Sequence, residues 1–310
     1  MASGRKAAFL GTLVVALPAL ALVAKMPSHP QILAVLNNAA HAPVFGALAV
    51  VWLLLLREVS PLGERHRFAV ALAATIAIGG LVELIQPAIG RGGEWVDLLN
   101  DTLGAIAGLA LAAALSSRRR WAALIFVVAA APVLWPVAEA SIAYAARAWE
   151  FPTMLGGDTR ADRYFVRTRG VQSEPSILPP RWSQAGDPPS LRIQIVGGNW
   201  PGITHSEPQP DWSDYSKLML DMTNPESRPL KLTLRVHDRM HDNRSSDRFN
   251  RTFTLAAAQR SILAIPLSEI ASGPEGRSLD LSRVAGVILF GEGSPQQVGQ
   301  VFYITRIWLE

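Results

Sequence analysis

The chain contains no cysteine among its 310 residues, which excludes disulfides, thiolate metal sites and a cysteine nucleophile. No run of lysine and arginine is interleaved with aromatic residues, so the net charge of +4 does not indicate nucleic-acid binding. Neither Gly90–Gly93 nor Gly197–Asn199 has the strand–loop–helix context of a phosphate loop. A Gly-x-Ser-x-Gly element is lacking as well, which argues against a serine hydrolase.

What the sequence does have is two unlike halves. Residues up to about Ala146 are mostly Ala, Leu, Val and Ile in long runs with little charge. The later residues are polar and rich in Pro, Asp, Arg and Trp, with short alternating apolar runs. We therefore expect a multi-domain protein: an α-helical membrane bundle over residues 1–146, a linker and irregular leader over 147–190, and an all-β sandwich over 191–310.

Five segments of the first half are long and apolar enough to be transmembrane helices. They are Ala7–Ala24, Val35–Leu56, Phe68–Ile85, Val96–Leu115 and Trp121–Ala143. Basic residues cluster before the first segment, between the second and third, and between the fourth and fifth, which predicts that these connections are cytoplasmic. We expect a multi-pass protein of the cell (inner) membrane with a cytoplasmic N-terminus and an extracytoplasmic C-terminal domain. Ala19-Leu20-Ala21 also resembles a signal-peptide cleavage site, so cleavage of the first segment is an alternative.

This topology brings the polar residues of the first half to one side of the membrane. The expected pocket is formed by His41, Glu83, Gln86, Arg91, Asp97, Asn100 and Asp101. Gly79, Glu83 and Gln86 share one helical face, and Asp97, Asp101, Gly104 and Gly108 share another. We expect these two faces to pack against each other, with the glycines deeper in the membrane than the carboxylates.

The same residues resemble a known family. His41, Glu83-x-x-Gln86, Arg91, Asp97-x-x-Asn100 and Gly104-x-x-x-Gly108 together resemble the VanZ-like membrane proteins over about residues 37–115. The family usually has a charged residue shortly before the histidine, and Asn37 and Asn38 stand there instead. The resemblance implies a small multi-span protein of the cell envelope. The family's founding members are linked to low-level resistance to glycopeptide antibiotics, and the resemblance implies no particular reaction.

Three roles for this pocket remain open. It can be structural or bind a ligand, with Arg91 paired to Asp97 or Glu83. It can be catalytic, with Glu83 or Asp97 as general base, His41 as its partner and Arg91 holding a phosphate or carboxylate. It can also hold a metal through His41, Glu83 and Asp97. A role other than catalysis is favoured, so no catalytic residue, metal or cofactor is assigned.

The pattern of the second half predicts a jelly-roll β-sandwich. Seven short alternating runs are separated by turn residues: Leu191–Val196, Lys217–Met222, Leu230–His237, Thr252–Leu255, Ser261–Ile265, Val284–Phe290 and Val301–Leu309. Tyr164–Arg167 is the one further strand candidate before them. Asp211-Trp212-Ser213-x-Tyr215, His237-Asp238, Asp247–Asn250 and Ile265-Pro266-Leu267 resemble galactose-binding-like domains, which include carbohydrate-binding modules, over about Trp182–Glu310.

This second resemblance implies a glycan site. The candidate residues are Trp212, Tyr215, Asp238, His241, Arg248 and Asn250, because sugars are bound by aromatic rings and planar polar groups. The aromatic residues can instead fill the core. The loop 238–244 can instead be a solvated hairpin, and Asp238, Asp242, Asn243 and Asp247 can instead hold Ca²⁺.

The favoured hypothesis is a VanZ-like membrane protein that binds an envelope glycan or lipid-linked ligand at its outer face, with membrane lipids as further partners. The first alternative is an intramembrane enzyme acting on a lipid-linked glycan or phospholipid head group. The second alternative is an envelope scaffold whose β-sandwich binds a protein.

Overall fold

The computed structural model describes residues 2–23, 27, 29–90, 95–117 and 120–310. The chain divides into two compact units, Met1–Ser141 and Ile142–Glu310. The first unit is helical and the second consists mainly of β-strands.

Five long helices account for most of the described residues before the strands. They are α1 (Ala2–Val23), α2 (Gln31–Val59), α3 (Glu64–Ile85), α4 (Trp95–Ser117) and α5 (Arg120–Glu150). Each is long and apolar enough to cross a membrane, with hydropathies between 1.6 and 2.2. This confirms the prediction of five apolar helices, because long runs of Ala, Leu, Val and Ile have no polar face to present to water.

Helices α2 and α4 approach each other through small residues. A Cβ atom added to Gly104 would lie 2.1 Å from the carbonyl oxygen of Ala42, and one added to Gly108 would lie 2.4 Å from that of Gly46. Helix α2 therefore supplies Ala42 and Gly46 at the same four-residue spacing as the two glycines of α4. The expectation that Gly104 and Gly108 pack against the third helix is wrong, because α2 offers the matching pair of small residues.

Helix α3 has a different contact with α4. A Cβ atom added to Gly79 would lie 2.9 Å from Oδ2 of Asp101, so the missing side chain leaves room for this carboxylate. The acidic face of α4 therefore does meet the Gly79 face of α3, as the helical periodicity indicates.

The second unit contains eleven strands in the part of the chain that the structure describes. They are β1 (Thr153–Leu155), β2 (Val166–Arg169), β3 (Val171–Ser176), β4 (Ser190–Ile195), β5 (Gly202–His205), β6 (Lys217–Asn224), β7 (Leu230–Asp238), β8 (Phe249–Leu255), β9 (Gln259–Pro266), β10 (Val284–Gly291) and β11 (Val301–Leu309). Two short helices accompany them, α6 (Arg160–Phe165) and α7 (Leu267–Ala271).

The strands form two antiparallel sheets. One has the order β3-β4-β11-β6-β9, with β1 also paired to β11, and the other has the order β2-β5-β10-β7-β8. The chain crosses repeatedly from one sheet to the other, as in jelly rolls. Alternate residues of each strand, such as Leu232, Leu234 and Val236 on β7, are buried in one shared core. The prediction of an all-β sandwich is confirmed, because period-two alternation identifies strands that are buried on one face.

Residues 147–190 differ from the expected linker and irregular leader. They contain the end of α5, the strands β1 to β3 and α6, which begins at a capping box formed by Thr159 and Asp162. Strand β3 pairs with β4 from Val171↔Ile195 to Ser176↔Ser190. It lies at the sheet edge and is mostly exposed, so it lacks the apolar alternation by which sequence reasoning finds strands.

The close approach of α2 and α4 predicts that Gly104→Ala destabilises the protein by about 1–3 kcal/mol, because the new methyl group overlaps the backbone of Ala42. The control is Gly80→Ala, where nothing lies within 4 Å of the added atom. We expect thermal unfolding in detergent to occur at a lower temperature for Gly104→Ala and at an unchanged or higher temperature for Gly80→Ala. Equal midpoints for the two variants would contradict this packing.

Candidate functional site

A buried imidazole–carboxylate pair lies in the helical unit. Nδ1 of His41 on α2 is 3.0 Å from Oδ1 of Asp101 on α4, and both side chains are buried. The other carboxylate oxygen of Asp101 accepts no hydrogen bond from the described residues. Close to this pair, Nδ2 of Asn100 donates to the carbonyl oxygen of Asn38 at 3.3 Å, which adds a second polar link between α2 and α4.

Of the other expected pocket residues, Asp97 lies on α4, Glu83 lies on α3 and Gln86 directly follows α3. Asp97 and Gln86 are buried and Glu83 is half-buried. One ligand atom each from His41, Glu83 and Asp101 lies within 4.8 Å of the other two. Arg91 lies outside the described residues. The structure thus brings His41, Glu83 and Asp101 together, whereas the sequence favours Asp97 as the third member of a metal site.

This cluster has two chemical possibilities. One imidazole and two carboxylates are a ligand set that zinc accepts, so a divalent cation would fit between them. The pair of His41 and Asp101 can alternatively hold and transfer a proton, because a carboxylate that accepts from Nδ1–H fixes the tautomer of a histidine and favours its protonation at the other nitrogen.

Two of the expected glycan-binding residues belong to the core of the sandwich. Trp212 is completely buried, and its indole N–H donates to the carbonyl oxygen of Gln209 at 2.8 Å. Tyr215 is partly buried and packs edge-to-face on Phe151, with 5.3 Å between the ring centroids. Trp212 therefore presents no free face and Tyr215 packs against the core, so the core alternative describes Trp212 fully and Tyr215 in part.

Asp238 and His241 are held inside the loop that follows β7. Asp238 is buried and accepts two hydrogen bonds from Arg277, at 2.6 and 2.9 Å, and two from backbone N–H groups. Burial raises the pKa of the Asp238 carboxyl, but the hydrogen bonds and charge of Arg277, together with the backbone N–H groups of Asp280 and Met240, outweigh this effect and the net pKa is lowered. Nδ1 of His241 lies 2.8 Å from the carbonyl oxygen of Asp247.

Arg277 also binds Asp247 and lowers the pKa of that carboxyl to about 2. A guanidinium therefore joins the carboxylates of Asp238 and Asp247, where the sequence offers calcium as an alternative. This disfavours the Ca²⁺ site, because the two acids are already neutralised by a protein side chain.

The remaining two candidates lie on the face of the five-stranded sheet that points away from the core. Asn250 on β8 is exposed, and Arg248, in the bend just before β8, is close enough to Arg235 and His237 to lower the pKa of both. Arg235 and His237 occupy this side of β7, and Phe290 occupies it on β10 opposite Thr233. We call this surface the outer sheet face. It consists of Trp200, Thr233, Arg235, His237, Arg248, Asn250, Thr252, Ile288 and Phe290.

Aromatic rings form one part of the outer sheet face. Trp200 is 57% exposed and meets Phe290 edge-to-face, with 5.6 Å between the centroids. The guanidinium of Arg235 covers the ring of Phe290 at 4.9 Å. The backbone of Trp200 has a φ of 57°, in the left-handed region that bulky residues rarely adopt. Such a conformation costs about 1–3 kcal/mol and is found mainly at functional sites.

Polar atoms form the other part. Nδ1 of His237 and Nε of Arg248 are buried, and neither has a hydrogen-bond partner among the described residues. The His237 ring lies over Gly286, where a Cβ atom would be 2.3 Å from Cε1. Burial, followed by His241 with its ring 5.0 Å away, lowers the pKa of His237 to about 4. Burial also lowers the pKa of Arg248.

The sequence offers Trp200, with Trp212 and Tyr215, as an aromatic residue beside a loop, but Trp200, Arg235, His237 and Phe290 are not among the predicted site residues. The signal for two of them is the alternation of Leu230, Leu232, Leu234 and Val236, which places Arg235 and His237 on the opposite side of the strand. Trp200 lies in an irregular loop and has no such signal.

No protein-family model matches the chain, and no curated protein matches it. Solved structures similar to part of it include an exo-beta-agarase, at 16% identity and a TM-score of 0.38 over 47% of this chain and 23% of that one. A family 11 carbohydrate-binding module from Clostridium thermocellum has 16% identity and a TM-score of 0.35, over 46% of this chain and 86% of the module. The CBM22-1 xylan-binding domain of Xyn10C from Paenibacillus barcinonensis has 14% identity and a TM-score of 0.31, over 46% and 85%. At such identities and TM-scores these likenesses add no argument about a ligand.

Proposed function

We propose that the chain is a VanZ-like integral membrane protein that binds an envelope glycan on the outer sheet face of its β-sandwich. The observation that carries this proposal is the combination on one sheet face of an exposed aromatic ring, Trp200, with the planar polar groups of Arg235, Arg248 and Asn250. Sugars present both C–H faces and hydroxyl groups, so they are bound by aromatic rings beside planar hydrogen-bonding groups.

Two features support this surface as the glycan site. Trp200 exposes its ring, whereas Trp212 is buried. Nδ1 of His237 and Nε of Arg248 are without protein partners, and a buried polar atom in that state costs about 1–3 kcal/mol. A ligand with hydroxyl groups or other polar atoms would satisfy both of them.

The helical unit anchors the protein in this proposal, and the cluster of His41, Glu83 and Asp101 binds a polar part of a lipid-linked ligand. A contribution to glycopeptide resistance belongs to the same proposal, since glycopeptides act on the cell envelope. It is tested by comparing antibiotic susceptibility with and without the chain.

The first test concerns glycan binding by the full-length protein in lipid nanodiscs on an array of envelope and plant-wall oligosaccharides. We expect binding to at least one glycan. We expect Trp200→Ala to weaken that binding by about 2 kcal/mol, or about thirtyfold, as for truncation of a central tryptophan. The control is Trp149→Ala, because this tryptophan is 90% exposed and lies on α5. If no glycan binds, or if both variants bind like the parent protein, the proposal is wrong.

The second test concerns orientation, because envelope binding requires the β-sandwich to be extracytoplasmic. We expect alkaline phosphatase fused after Glu310 to be active and green fluorescent protein at the same position to be dark. The control fusion, placed after Arg120 in an expected cytoplasmic connection, should give the reverse pattern. Fluorescence from the fusion after Glu310 would place the sandwich inside the cell and end the proposal.

A second candidate function is intramembrane catalysis, and the 3.0 Å contact between His41 and Asp101 favours it. Such a pair is suited to take a proton from a hydroxyl or water that attacks a lipid-linked phosphate or ester. In this case the protein in nanodiscs made from native lipids should convert a lipid species that mass spectrometry detects. Asp101→Asn should lower the conversion at least a hundredfold, and Thr102→Ala should not change it. Equal conversion by a folded Asp101→Asn protein would exclude this mechanism.

A further inference from the structure

We infer that the outer sheet face selects anionic oligosaccharides, whose carboxylate or phosphate groups bind between the guanidinium groups of Arg235 and Arg248. This inference rests on the proposed glycan binding and deepens it by naming the chemical class of the ligand.

Among the described residues, Arg235 and Arg248 have no carboxylate partner. Within the described part of the chain, no carboxylate oxygen lies within 4.0 Å of the guanidinium nitrogens of Arg235 or Arg248. Two other partly buried arginines of the sandwich are neutralised by carboxylates. Arg260 binds Asp187 and Asp221, and Arg277 binds Asp238 and Asp247. The two cations of the outer sheet face are therefore available to an anion from outside the chain.

Arg235 and Arg248 lie close to each other. Arg235 pairs with Asn250 across the β7–β8 ladder, and its Nε lies 3.4 Å from Oδ1 of that side chain. Arg248 comes two residues before Asn250, in the bend that leads into β8, so their Cα atoms are at most about 7 Å apart. The two charges are close enough to repel each other, since Arg248 adds to the effect of burial in lowering the pKa of Arg235. Like charges on neighbouring strands destabilise a sheet, and a bound anion would remove this repulsion.

The positive charge of the outer sheet face comes from guanidinium groups and is therefore present at every pH near neutrality. His237 is close to both arginines, but its pKa of about 4 means that the imidazole is uncharged at neutral pH. The charge of this part of the face then comes from the guanidinium groups, which stay protonated and bind carboxylate and phosphate groups bidentately. His237 is left to exchange neutral hydrogen bonds with sugar hydroxyls.

The outer sheet face suits a glycan better than an anionic membrane surface. Trp200 and Phe290 lie on the same face as the arginines, and Nε of Arg248 is buried below the surface. A membrane surface attracts exposed, flexible cations, whereas Arg235 and Arg248 are partly buried and Arg235 is held over Phe290. An oligosaccharide can stack on the exposed ring of Trp200 and direct its acidic substituents toward the guanidinium groups.

The experiment compares two saccharides that differ only in charge, using the full-length protein in nanodiscs of uncharged lipid. One is hexagalacturonate and the other is its complete methyl ester. A glycerol-phosphate polymer forms a third arm, and vesicles with anionic lipid form a fourth. We expect the free acid or the phosphate polymer to bind at least tenfold more tightly than the ester, with an affinity that falls as salt is added.

The double variant Arg235→Gln, Arg248→Gln should reduce this ratio to about one. The matched control is Arg251→Gln on the same strand, because Arg251 is already paired with Glu269, and it should keep the full preference. Trp200→Ala should weaken the binding of the acid and of the ester alike.

The results separate the two levels of the proposal. Binding of both the acid and the phosphate polymer no tighter than that of the ester, a preference that survives in the double variant, or binding to the anionic vesicles alone would overturn the selection of anionic glycans. Binding of a neutral glycan that depends on Trp200 would leave the proposed function standing while this inference fails. If neither these saccharides nor any glycan of the array binds, both are wrong.

Discussion

The distance between α2 and α4 determines where the ionisable residues of the helical unit meet. Gly104 and Gly108 allow the two backbones to approach until a single methyl group would not fit, and His41 and Asp101 lie less than one turn away from this contact. At that distance the imidazole and the carboxylate reach each other directly, at 3.0 Å. Wider packing would leave two buried polar groups without a partner in an apolar surrounding, which is costly. The small residues are therefore as much a part of the pocket as the side chains that line it.

The sequence predicted the secondary-structure elements correctly where the periodicity of apolar residues determines the structure. Long apolar runs predicted α1 to α5, and alternation predicted β4, β6 to β9, β10 and β11. Periodicity identifies the face of an element but not its partner, so Gly104 and Gly108 were matched to the wrong helix. It also fails for short or exposed strands such as β3 and β5, whose pairing is decided by neighbours that are distant in sequence.

The site residues of the sandwich show the same limit. Trp212 and Trp200 are both tryptophans near the start of a strand, yet one is in the core and the other is exposed, because only the fold decides which ring meets the second sheet. Arginine pairing is equally non-local. Arg277 is 39 residues from Asp238, and Arg260 is 73 residues from Asp187, so no local pattern reveals that they are neutralised. The unpaired state of Arg235 and Arg248 becomes visible only once the partners of the other arginines are known.

The architecture of the five-stranded sheet explains why these two arginines suit a binding surface. Strand β7 lies between β10 and β8, and its inward residues Leu230 to Val236 are fixed in the core. Arg235 is therefore positioned by register on both sides, opposite Ile288 and Asn250, and its guanidinium is held over Phe290. The core side of the strand supplies the stability, so the outer side is free to carry groups that are unfavourable in the absence of a ligand. A cation fixed in this way loses little conformational entropy when an anion binds, which favours affinity without any movement of the backbone.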